Sequence, residues 1–113
     1  MENGNSLPAR ILDRNFKYIY VILSRLEKVL DEPSFCGEEI KPDKIGISVT
    51  RWLAYMNMLQ DAGYIDGFEY TIDLVDDINY DVTNVRVTLK GLEYLYNSSV
   101  MNAAFELLTK HKR

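Results

Sequence analysis

One cysteine, one histidine and three prolines among 113 residues leave several chemistries without material. With Cys36 alone no internal disulfide can form, so the frame of a small secreted scaffold is missing. A solitary cysteine of this kind is expected as a small buried apolar residue. His111 stands in the terminal run Lys110-His111-Lys112-Arg113, where no preorganised site is expected, and without it Cys36 has no histidine partner for nucleophilic catalysis. Gly63-Tyr64-Ile65-Asp66-Gly67 lacks the Lys-Ser/Thr pair that a phosphate cradle requires. These absences predict no enzyme and no cofactor.

Long apolar runs are absent too. The longest covers residues 18–23, far short of the roughly 20 needed to span a bilayer. The first eight residues, Met-Glu-Asn-Gly-Asn-Ser-Leu-Pro, have neither the basic start nor the apolar centre of a secretory leader. The expectation is a soluble, cytoplasmic chain that makes no membrane contact.

What is present is enough for one domain. Apolar residues make up 47% and aromatic residues 12%, which excludes a disordered tail, and a chain this long buries a core without staples. A polar arm is expected over residues 1–10, followed by a single domain over 11–113. Phe16, Ile19, Tyr20, Leu23, Leu26 and Leu30 fall three or four apart and predict a helix over 13–30, stopped by Pro33. Pro42 opens a short helix with Ile40, Ile45 and Ile47 as its core contacts. Ser48 is an N-cap candidate for a third helix over 48–62, ended by Gly63. Its stripe is Val49, Trp52, Leu53, Met56 and Leu59. Its outer face is Arg51, Ala54, Met58 and Asp61, with Thr50, Tyr55 and Asn57 on the flanks.

The period then changes to two. Phe68, Tyr70, Ile72 and Leu74 alternate with polar residues, as do Val85, Val87 and Leu89, which predicts a hairpin around a loop at 75–83. Thr88 caps a fourth helix, in which the unfavourable Gly91 implies close packing against a neighbour. After Asn97-Ser98-Ser99 a fifth helix carries Val100, Met101, Ala104, Phe105 and Leu108. Three helices leading into a ribbon and two more helices predict an α+β fold of winged helix-turn-helix type.

The segments Ala62-Gly63-Tyr64-Ile65-Asp66-Gly67, Val87-Thr88-Leu89-Lys90-Gly91-Leu92-Glu93-Tyr94-Leu95 and Asn97-Ser98-Ser99-Val100-Met101 resemble the YjcQ family. The resemblance spans about residues 11–110 and is strongest from Met56 onward. It implies a small winged-helix protein of bacteria or their phages, and it carries over no functional residues.

Charge position bears most on function. The formal net charge is -4, and the deficit gathers in residues 31–81. Between Arg51 and Arg86 there is no base, while Asp61, Asp66, Glu69, Asp73, Asp76, Asp77 and Asp81 supply seven acids. Asp77, Asn79 and Asp81 match the first ligands of a calcium loop, but Val82 stands where the sharp turn needs Gly and Thr88 where a bidentate Glu belongs. No metal site is expected, only a solvated hairpin tip. Duplex DNA demands cationic contacts, so an acidic wing disfavours it. Arg86 is expected to pair with an acid of the ribbon.

The leading expectation is a non-enzymatic regulatory module that contacts a protein partner through Ala54, Met58, Asp76, Asp77 and Asp81. The alternative is a sequence-specific DNA-binding regulator using Thr50, Arg51 and Asn57, helped by basic residues near both ends such as Arg10, Arg14 and Lys17, or Lys110, Lys112 and Arg113. The last helix has more apolar width than one seam needs, which admits either a monomer or a homodimer through it.

Overall fold

A computed structural model describes residues 9–35 and 37–110. Residues 1–8 of the expected arm, Cys36, and the tail residues His111, Lys112 and Arg113 lie outside the described residues. Among the described residues, five helices and two short antiparallel sheets make an α+β fold.

Helix α1 (Ala9–Lys28) begins four residues before the expected start and tightens into a 3-10 turn, Val29–Asp31. It buries Ile19, Ile22, Leu23 and Leu26. Leu30, expected on that stripe, is half exposed. The tighter winding of the last turn rotates the face by about 120° per residue and carries Leu30 away from the core. A second 3-10 turn, Glu38–Ile40, precedes α2 (Pro42–Ile45), which has Pro at its first turn. Ile40 is fully buried, and Ile45 and Ile47 are partly buried against the core.

Helix α3 (Val49–Asp61) starts where the Ser48 hydroxyl accepts the Arg51 N–H at 3.2 Å. It ends with the Tyr64 N–H on the Leu59 carbonyl (2.9 Å) and the Gly63 N–H on that of Gln60 (3.0 Å), so its last carbonyls are satisfied. Trp52, Met56, Leu59 and Tyr55 are buried; Tyr55 had been expected on a flank, and Val49 is more exposed than its stripe position implies.

The ribbon departs from expectation. Strands β1 (Ile65–Asp66) and β4 (Arg86–Val87) pair with Ile65 opposite Val87. Inside them, β2 (Glu69–Ile72) pairs with β3 (Ile78–Asp81), with Tyr70 opposite Tyr80. Residues 78–81, expected as loop, are therefore strand, and 85–89 does not pair with 68–74. Between the two sheets, residues 67–68 on one arm face 82–85 on the other. The two extra residues form a turn closed by the Val85 N–H on the Val82 carbonyl at 3.2 Å. This bulge drops Val82 and Val85 into the core. Gly67 crosses it at φ 84°, and a Cβ there would strike the Asn84 carbonyl.

Beyond the bulge the hairpin leaves the body of the protein. Of the four residues expected to face inward, Phe68 is buried, whereas Tyr70, Ile72 and Leu74 are exposed. Helices α4 (Leu89–Asn97) and α5 (Ser99–Lys110) complete the chain. Thr88 caps α4 by accepting the Gly91 N–H at 3.0 Å. Its own hydroxyl donates to the Gly63 carbonyl, and its N–H to that of Tyr64 at 3.0 Å. A side chain on Gly91 would meet the Tyr64 carbonyl, which is the close packing its position implied. Among the described residues no helix is long and apolar enough to cross a membrane.

The bulge contact is testable against Gly46, which also has positive φ (91°) but open space around it. Gly46→Ala should lose roughly 1 kcal/mol from backbone strain alone. Gly67→Ala should lose about 2–4 kcal/mol, because backbone atoms must also shift. Urea unfolding of both variants measures the difference, and equal losses would show that the ribbon does not close on Asn84.

Candidate functional site

Two surfaces carry the residues singled out by sequence. The first is the exposed side of α3. Thr50, Arg51, Ala54 and Met58 line one open cleft of about 420 Å³ against Asn15 of α1. Met58 is 56% exposed and Thr50 and Ala54 are also open to solvent.

Arg51 behaves differently from a free cation. Its Nη1 donates to Asn15 Oδ1 and to the Tyr55 hydroxyl, both at 3.0 Å, and its guanidinium lies 5.9 Å from the Tyr55 ring centre. The Tyr55 hydroxyl in turn donates to Asn15 Oδ1 at 2.6 Å. Three residues from two helices thus close a half-buried polar triangle, and the one base of α3 is bound into it. Asn57 does not join this cleft. Its Nδ2 makes a long bond, 3.4 Å, to the Tyr70 hydroxyl on the hairpin.

The second surface is the β2–β3 hairpin. At its base, Gln60 holds Phe68 with two bonds: Nε2 donates to the Phe68 carbonyl and Oε1 accepts the Phe68 N–H, both at 2.9 Å. A side-chain amide here does the work of a paired strand. Phe68 meets Trp52 edge-on with ring centres 5.4 Å apart, and Tyr80 from the returning strand lies 4.7 Å from Trp52. Sequence reading missed Gln60 and Asn15, since each acts on a residue distant in sequence and neither stands in a motif.

The acids do not form one group. Asp76 and Asp77 sit in the turn at the tip, while Asp81 ends β3 opposite Glu69. Four residue steps along the strand separate Asp77 from Asp81, about 13 Å. Asp81 Oδ1 accepts the Thr83 N–H at 2.9 Å and so shapes the bulge. That backbone bond, joined by one from the Thr83 side chain, holds the Asp81 carboxyl below its ordinary pKa. At the tip, Asp73 Oδ1 accepts the N–H groups of Val75 and Asp77, each at 3.0 Å, and Asp76 adopts φ 65°. Among the described residues no group of three acidic, Cys or His side chains is placed to hold a metal ion. Asn79 and Asp81, which matched a calcium loop in sequence, stand on a strand instead. Arg86 does not pair with an acid as expected: its Nη1 donates to the carbonyls of Val85 (2.9 Å) and Thr83 (3.3 Å).

The wide apolar stripe expected on α5 is partly used within the chain. Met101 and Ala104 are buried, and Phe105 packs on Tyr20 with ring centres 6.0 Å apart.

Two measurements check this geometry. Gln60→Leu leaves the Phe68 N–H and carbonyl unmet and should lower stability by about 1–3 kcal/mol, with amide shifts spreading along β2 and β3. An unchanged spectrum of the hairpin would deny Gln60 its role. For Asp81, a folded pKa below the unfolded one means stabilisation that is present at neutral pH and fades as pH falls through the folded value. The advantage of the natural chain over Asp81→Asn should therefore be seen at neutral pH and vanish in acid below the ordinary carboxylate range. Denaturation across pH reads this directly, and a constant difference would contradict it.

No curated protein and no solved structure matches the chain. The family model described as YjcQ protein matches residues 20–112, which include every helix from α2 onward and the whole ribbon. The chain belongs to the YjcQ family.

Proposed function

We propose that the chain is a non-enzymatic winged-helix module, with β2–β3 as its wing, that regulates by contacting another protein. The element order supports the winged-helix reading: three helices, a ribbon whose inner hairpin projects, then two more helices. In that arrangement α3 is the recognition helix.

The observation that carries the protein-contact reading is the wing itself. Its tip exposes Ile72, Leu74 and Val75 among Asp73, Asp76 and Asp77. An aliphatic, acidic tip is repelled by phosphate and gains nothing from it, whereas exposed apolar groups ringed by polar ones suit a protein surface. Arg51 adds to this. Its Nη1 is held on Asn15 and Tyr55, which restrains the guanidinium against the body of the protein. Met58 and Ala54 give α3 a small apolar surface on the same cleft.

Two assays separate the readings. A pool of random duplexes should show no mobility shift with this protein at about 50 mM salt, where phosphate contacts are strongest. A photo-crosslinking residue placed at position 75 should yield a protein adduct in the native host, while one at position 102, on α5, should not. A duplex shift that weakens with salt and is abolished by Arg51→Ala would overturn the proposal in favour of groove recognition.

A further inference from the structure

We propose that the wing tip docks onto an amphipathic helix of the partner, one whose apolar seam is flanked by lysines or arginines. This inference rests on the protein-contact reading of the wing and names the chemistry of its partner.

The tip is an unusual piece of surface. Leu74 is wholly exposed, Val75 is 74% exposed and Ile72 54%. Three aliphatic side chains in four residues therefore stand in water at the end of an arm, beyond any contact with the core. Isolated apolar residues on a surface need no explanation, but a contiguous group at a projecting turn does.

The tip also has a defined shape. Asp73 holds the turn through its carboxylate, through the Asp73 N–H on the Asp77 carbonyl and through its own carbonyl, which accepts the Asp76 N–H; both backbone bonds are 3.0 Å. A surface already ordered before binding loses little conformational freedom on docking, so more of the apolar burial appears as affinity.

Shape and charge then narrow the occupant. Residues 73–76 form a tight turn closed by the Asp76 N–H on the Asp73 carbonyl. The aliphatic groups therefore stand on one short convex point, which covers a single apolar seam of a helix rather than a broad face. Around the aliphatic groups lie Asp73, Asp76 and Asp77, with Glu69 and Asp81 opposite one another at the far end of the hairpin. No base lies between Arg51 and Arg86 to neutralise them. A seam flanked by Lys or Arg meets both the apolar centre and the acidic rim, whereas an acidic or purely apolar helix meets only one.

The experiment uses the full chain and a fluorescent Leu/Lys peptide of about 14 residues that forms an amphipathic helix. A scrambled peptide of the same composition keeps the charge and loses the seam. By anisotropy at about 150 mM salt, the helical peptide should bind at least tenfold more tightly than the scramble. The double substitution Leu74→Asp, Val75→Asp should weaken it by tenfold or more, although it adds two charges of the attracting sign. Both sites are exposed, and an unchanged melting temperature verifies the fold.

Equal binding of the scramble, or tighter binding by the doubly substituted chain, would show a purely coulombic contact and overturn the inference. Binding of neither peptide would overturn it too. In either case the crosslink at position 75 still decides the wider protein-contact reading. Light scattering that shows a dimer split by Leu74→Asp would mean that the tip docks on a second copy, again overturning the inference.

Discussion

Trp52 is the fixed point to which the hairpin and the segment before α2 are attached. It is fully buried on α3, its indole N–H donates to the Ile40 carbonyl at 2.7 Å, and its ring touches Phe68 and Tyr80. One side chain thereby ties the segment before α2 and both arms of the hairpin to the same helix. Removing a buried aromatic of this size costs on the order of 3–5 kcal/mol. Here the loss would also release the hairpin, because its two aromatic base contacts go with it. Gln60, two turns further along α3, adds the polar half of the attachment.

The bulge between the sheets explains why the hairpin stands away from the protein. Four residues on the returning arm against two on the outgoing arm break the ladder and bend it. Val82 and Val85 fill the core at that break, so the ribbon is sealed at its base and free beyond it. The acids and aliphatics of residues 72–77 are carried outward as a consequence. Fold does not dictate use. The charge on this arm is what the proposed protein-contact reading rests on.

Much of this fold is legible in the sequence because it is written in local chemistry. Ser48 and Thr88 sit as caps where the helical period begins, Gly63 follows the last turn of α3, and Gly91 packs against a backbone carbonyl. The three terminal signals lie within a few residues of the structure they cause, and Gly91 is legible because glycine inside a helix calls for a packing reason. The ribbon register was not legible, since alternation of apolar residues survives a two-residue insertion unchanged and cannot reveal it. The same alternation made Ile72 and Leu74 look inward-facing, although period two says only that they share a face. The polar triangle of Asn15, Arg51 and Tyr55 links residues 36 apart in the chain, so α3 alone makes Arg51 look free. The separate roles of the candidate acids are not legible, because Asp77 and Asp81 lie close in sequence while one sits in the turn and the other ends β3.

The hairpin is held firmly at its base and accessible at its tip. Native-state amide hydrogen exchange tests it residue by residue. Amides of Phe68, Asp81 and Val85 should exchange only with opening of the α3 core, close to the global stability, while Leu74 and Val75 exchange orders of magnitude faster. If the base amides exchanged as fast as those of the tip, the hairpin would not be anchored on Trp52 and Gln60, and its role as a preformed docking arm would be contradicted.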